Sequence, residues 1–163
     1  MSRIPALGPR GEGWVALQVA AIGLVILAGR VGVPVAIGDA SVQGLAGVIG
    51  NLLVGAGFLV ILLAAAVLGG GGAFTVFPRP IAGGQLVESG PFRFVRHPVY
   101  SGLIVASFGS TLARSSLLSL LAAALIFVVL DLKRRREEEW LVERYAGYVA
   151  YRSRTKALIP GLY

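Results

Sequence analysis

The 163-residue sequence predicts an all-α integral membrane protein with about four transmembrane helices, the last extending into a cytoplasmic C-terminal helix. Three observations carry this expectation. Apolar residues make up 56% of the chain, above the share in a typical soluble domain. They gather in three long runs, Trp14 to Ile37, Leu45 to Leu68 and Tyr100 to Leu130, and a bilayer core takes about 20 such residues per helix. Thirteen of the 15 Lys and Arg fall on one side of a four-span arrangement, with only Arg30 and Arg114 on the other. The positive-inside rule then sets both termini in the cytoplasm, in a cell inner membrane. The chain is expected to be one domain, with two N-terminal spans in residues 1–68 and the motif-bearing part in residues 69–163.

Residues 1–13 form a polar lead with Pro5, Pro9 and several glycines, expected to be irregular. The first span follows. Its apolar run is long and has no small-residue cleavage pattern, which argues against a signal peptide. Arg30 lies near its outer end, where a long basic side chain can reach the interface, and Asp39 is close enough in sequence to pair with it. The second span is rich in Gly, Ala and Leu. "GNLLVGAG" brings Gly50, Gly55 and Gly57 together, and small residues let helices approach closely in lipid. "GAG" and the later "GGGG" lack the preceding strand and following helix that a dinucleotide loop needs.

Residues 69–97 form a long Gly- and Pro-rich cytoplasmic connection. Phe74, Phe77, Phe92 and Phe94 argue that it is folded, so it is expected to be a lid or floor at the membrane surface. The third apolar run is too long for one helix and breaks at "ARSS". It reads as a hairpin, Pro98 to Ala113 and Ser116 to about Leu132. No Pro or Gly then interrupts the chain until Gly147, which predicts one helix leaving the membrane. The tail "TKALIPGLY" turns at Pro160-Gly161, and is expected to lie on the membrane surface.

The chain has no cysteine, which excludes disulfides, thiolate metal sites and cysteine nucleophiles. Its net charge of +7 flanks the apolar runs. That placement suits anionic lipid headgroups and argues against nucleic acid.

Two segments carry chemistry. The first is "RHPVYSG", with the only histidine of the chain. Proline suits the first turn of a helix, and the residue before it avoids the helical region. His97 is therefore expected to be extended, at or beside the N-cap of the third span, near unpaired N–H groups and the positive end of the helix dipole. Such an end attracts an anion or carboxylate. Arg96 adds charge, Tyr100 a hydroxyl and a ring, and Gly102 a low helix surface. The second segment is the emergent helix. Arg134, Glu138, Leu141, Tyr145 and Tyr148 share one face at helical spacing, with Glu137 at its edge. Lys133–Glu137 and Arg135–Glu139 are spaced to pair at i,i+4. The two segments together suggest a mixed-charge pocket for a zwitterion that carries a carboxylate, an amine and a fixed positive centre.

"LVESGPFRFVRHPVYSG", followed about 35 residues later by "EEEWL" and two spaced tyrosines, resembles the isoprenylcysteine carboxyl methyltransferase family, which belongs with the phospholipid methyltransferases. The resemblance spans roughly residues 73–163, including "FTVFPRP" and "LIPGLY". It implies S-adenosylmethionine as cofactor. It also implies that Arg96, His97, Pro98, Tyr100 and Gly102 bind that cofactor, with Glu137 and Glu138 capping it. Leu141, Tyr145, Tyr148 and Tyr151 would follow the helix above it. The family's Phe-Gly spacing is replaced by "YAGY", one residue shorter. The run Lys133 to Arg136 sits where the family has a substrate-orienting arginine, and Arg134 faces the matching way.

The expected reaction is in-line methyl transfer to a lipophilic acceptor, with much of the rate coming from alignment. Arg134 would orient a carboxylate acceptor. Glu138 or Glu137 would take the proton of an amine. The alternatives are a membrane reductase using NADPH and a non-catalytic membrane scaffold.

Overall fold

The computed structural model describes residues 4–35, 38–71, 75–80 and 83–163. Within them the chain is helical, without extended strands: α1 Glu12–Val31, α2 Ala40–Gly70, α3 Pro98–Arg114, α4 Leu117–Arg144 and α5 Tyr148–Arg154. A 3-10 turn, Gly90–Arg93, precedes α3.

Each helix boundary has a local cause. Gly11, at φ 82°, takes the left-handed conformation that starts α1. Gly32 ends α1, and its N–H bonds to Ala28. The first run therefore stops being helical before Ile37, which lies outside the described residues. Asp39 opens α2 by accepting from the N–H groups of Ser41 at 2.9 Å and Val42 at 3.0 Å. The expected Arg30–Asp39 pair is thus replaced by an N-cap, which satisfies two orphan donors. The "ARSS" break is a tight turn, with Ser115 at φ 48° and Ser116 capping α4. Pro34 bridges to Ser116, which ties the end of α1 to this turn.

α2 packs along α3, and α1 along α4. The α2–α3 seam is made of glycine. A Cβ on Gly57 would lie 2.5 Å from the Gly102 carbonyl oxygen, and one on Gly109 would lie 2.8 Å from that of Gly50. The backbones meet directly, as small residues permit in lipid. Gly55 faces open space. α3 and α4 pack together, whereas α1 and α2 scarcely touch. The bundle is therefore an open arc, in the order α2–α3–α4–α1.

The outer faces of α1 and α2 are apolar and exposed, among them Val19 at 62% and Leu52 at 68%. These two helices are long and apolar enough to cross a membrane. α3 has 17 residues, and α4 meets Asp131, Lys133 and Arg134 before a run of that length is complete. Length and composition thus qualify two spans where the sequence suggested four.

α4 does continue unbroken from the hairpin to Arg144, as its sequence indicated. The tail turns at Pro160-Gly161, with Gly161 at φ 76°. Before that turn it lies against the segment preceding α3, where the Arg96 N–H donates to Lys156 at 2.8 Å and the His97 N–H to Ala157 at 3.1 Å. Ser101 Oγ donates to the Leu158 carbonyl at 2.6 Å. Backbone groups left open at the start of α3 recruit the tail. Phe74 and Gly72 of the long connection lie outside the described residues.

Candidate active site

The site lies where the N-terminal ends of α1 and α3, the C-terminal end of α2 and the second half of α4 come together. Pro98 is the first residue of α3, and His97 is its N-cap, with non-helical φ −126° and ψ 60°. The clash imposed by the proline ring accounts for this. The His97 and Tyr100 rings stack at 5.3 Å with 2° between planes.

α4 brings two carboxylates to this turn. Tyr100 donates its hydroxyl to Glu137 at 2.7 Å, and His97 Nδ1 lies 3.8 Å from the same oxygen. Glu138 is 3% exposed. It accepts from Arg96 Nε at 3.0 Å and lies 3.2 Å from His97 Nε2. Arg152 lies 3.4 Å away and Arg134 3.6 Å. Burial alone would push the Glu138 carboxyl up. The hydrogen bond and charge of His97, then the charge and bond of Arg96, outweigh it and hold the pKa at about 2. Arg96 also donates to the carbonyls of Thr155 and Arg152, so the tail is bonded to the same guanidinium.

A cavity of about 280 Å³ opens beside this cluster, close to the lower end of small-molecule pockets at roughly 300 Å³. Arg96, His97, Pro98, Tyr100, Glu137, Leu141, Tyr145, Tyr148 and Tyr151 all line it. The long connection supplies a wall through Val76, Pro78, Leu86 and Val87, so it does lie against the site. Tyr145 pins that wall by donating to the Gly84 carbonyl at 3.0 Å, and Tyr151 donates to Phe92 at 2.6 Å. Tyr148 is 1% exposed, and its hydroxyl has no partner among the described residues. Burial and the Glu138 charge raise its pKa, so the hydroxyl remains a proton donor. The shortened "YAGY" segment accommodates this by ending α4 at Arg144 and starting α5 at Tyr148, with both Tyr148 and Tyr151 facing inward.

Three predicted site residues lie elsewhere. Gly102 faces α2, where Gly57 and Ile61 occupy the space beside it. Glu138 stands behind Arg96 and His97 and does not line the cavity. Arg134 is turned to Asp131, with Nε at 2.9 Å, and to the Tyr163 hydroxyl at 2.9 Å. Lys133 is the member of the basic run that lines the cavity. Within the basic run, Arg135 pairs with Asp131 at 2.7 Å, Arg136 pairs with Glu139, and Lys133 bonds to Gln18 while the Glu137 carboxylate acts on its charge. Gln18, Val15 and Val19 of α1 also line the cavity. Gln18, an amide inside an apolar run, was the signal for this wall in the sequence.

An apolar-surfaced helical bundle with a mixed-charge cavity at one end has the layout of a membrane enzyme working at the lipid–water boundary. The chain belongs to the phospholipid methyltransferase family, a family of membrane methyltransferases, whose profile matches residues 45–147. The match covers all but the first turn of α2, the connection, α3 and α4, and leaves α1, α5 and the tail outside. No curated protein matches the sequence. The reductase and scaffold readings gain no support from the fold or the family.

Proposed function

We propose that this chain is an S-adenosylmethionine-dependent methyltransferase with a lipophilic acceptor, and that the cavity is its active site. The observation that carries the reading is the joint lining by Arg96, His97, Glu137 and the unpartnered Tyr148 hydroxyl. This donor set fits a zwitterionic sulfonium. Arg96 and His97, at the start of α3, face a carboxylate. Glu137 faces an amine or the sulfonium, and Tyr148 offers a hydrogen bond that none of the described residues accepts. Bound S-adenosylmethionine supplies an electrophilic methyl group.

The protein's own part is positioning and exclusion of water. Glu138 keeps Arg96 and His97 in place. Leu141, Tyr145 and the Leu86 wall close the aqueous side. Glu137 is the carboxylate within the cavity for an amine proton. The acceptor approaches sideways, between α1 and α2, where the arc is open and the cavity-lining Val19 also faces outward. Four spans, with both termini on the cytoplasmic side, complete the arrangement.

Calorimetry of S-adenosylhomocysteine with detergent-purified protein tests this reading. The expected result is micromolar binding that is lost in His97→Ala and weakened in Glu137→Gln. No binding to the unaltered protein overturns it.

A further inference from the structure

Lys133 is 2% exposed. Its ammonium donates to the Gln18 side-chain oxygen and to the Val76 carbonyl at 3.3 Å, and it lies 5.2 Å over the Tyr100 ring. All three partners are neutral. Its neighbours Arg134, Arg135 and Arg136 each pair with a carboxylate. Glu137, one turn along, is bonded to Tyr100. The nearest counter-charge is the Glu137 carboxylate, which acts on the lysine without touching it; a buried ammonium whose direct contacts are all neutral is costly, and this one lines a cavity. Gln18 gives its oxygen to Lys133, and among the described residues no acceptor takes its amide N–H groups. It comes from α1, outside the residues shared with the family.

We propose that Lys133 and Gln18 form an anion subsite that holds the acceptor's headgroup, a carboxylate or a phosphodiester, on the α1 side of the cavity. The subsite rests on the methyltransferase reading. It differs from the cofactor's own contacts, which lie on the Arg96–His97 side. It also replaces Arg134, whose guanidinium is committed to Asp131 and Tyr163, as the cation that orients the acceptor.

The test uses nanodisc-embedded full-length protein with S-adenosylhomocysteine bound, and four dodecyl probes: lauric acid, methyl dodecyl phosphate, dodecylamine and dodecanol. Binding is read from the ligand-dependent rise in melting temperature. The acid or the phosphodiester is expected to bind about ten-fold tighter than the alcohol and amine, the size of one charge-assisted contact. The stronger of the two identifies the source of the anion. Lys133→Met is expected to erase the preference while S-adenosylhomocysteine affinity stays unchanged, and Lys133→Arg to retain it. Gln18→Leu, which touches no charge, is expected to weaken it several-fold.

Equal binding of all four probes overturns the subsite, as does an anion preference that survives in Lys133→Met. A Lys133→Met protein that folds but loses S-adenosylhomocysteine also overturns it, because the lysine would then belong to the cofactor. If Lys133→Met does not fold, Gln18→Leu decides: an unchanged preference overturns the subsite. Failure of the unaltered protein to bind S-adenosylhomocysteine is a separate result, and it counts against the methyltransferase reading instead.

Discussion

Replacing Glu138 by glutamine tests how far one carboxylate organises the site. Glu138 faces Arg96, His97, Arg134 and Arg152 within 3.6 Å. Its pKa falls from 4.5 to about 2 on folding. At ~1.36 kcal/mol per unit this is about 3 kcal/mol, in line with the cost of breaking a buried ion pair, roughly 3–5 kcal/mol. Because the folded pKa is the lower one, the contribution is complete above about pH 4.5 and disappears as pH falls towards about 2. For a chain of this size ~1 kcal/mol moves the melting temperature by about 2–4 °C. Glu138→Gln should therefore melt about 6–12 °C lower at neutral pH. The gap between variant and unaltered protein should close as the pH is lowered. Thermal unfolding in detergent, followed by tryptophan fluorescence, measures both. A variant that melts with the unaltered protein at neutral pH, or a gap that persists at the acid end, would refute the reasoning.

Other outcomes follow from single contacts. Gly57→Leu should destabilise the bundle by at least about 1–3 kcal/mol, because its Cβ alone would sit 2.5 Å from the Gly102 oxygen. Gly55→Ala, in open space, should be neutral or raise stability by up to ~1 kcal/mol through helix propensity. Denaturant titration separates the two. Tyr148→Phe removes a buried hydroxyl without a partner among the described residues, so stability should hold or rise while S-adenosylhomocysteine affinity drops about five-fold, the value of one ordinary hydrogen bond. Calorimetry and melting on the same sample would show the two moving independently. Ser101→Ala loses the 2.6 Å bond to Leu158. It should loosen the tail by about 1 kcal/mol, visible as faster amide exchange at Ala157 and Leu158.

Much of this arrangement was written in local chemistry. The Arg-His-Pro sequence set the N-cap and first turn of α3, because proline constrains its neighbour whatever the tertiary context. The serine pair set the hairpin turn, and the lack of Pro or Gly let α4 run past the apolar region. What remained hidden was rotational. Periodicity shows that residues 134, 138, 141 and 145 share a stripe, but not which stripe meets the cavity. Lys133, one residue away, is the side chain that reaches it. Gly102 was ambiguous in kind, since a missing side chain admits a ligand and a neighbouring helix equally well. The docking of the tail was invisible for another reason. It runs largely through backbone groups at Arg96, His97, Lys156 and Ala157, and those carry no residue signature.

The open side between α1 and α2 has a consequence for what the enzyme measures. A molecular ruler needs a far wall against which a chain comes to an end. In the proposed arrangement the charged and aromatic walls gather around the head of an acceptor, and the open side at Val19 borders exposed aliphatic surface. A site built so would inspect chemistry at one end of a molecule and leave the length of the other end to the surrounding lipid. On the proposed reading its selectivity would be set by headgroup, and a homologous series of tails should be turned over at rates governed by their partition into the bilayer.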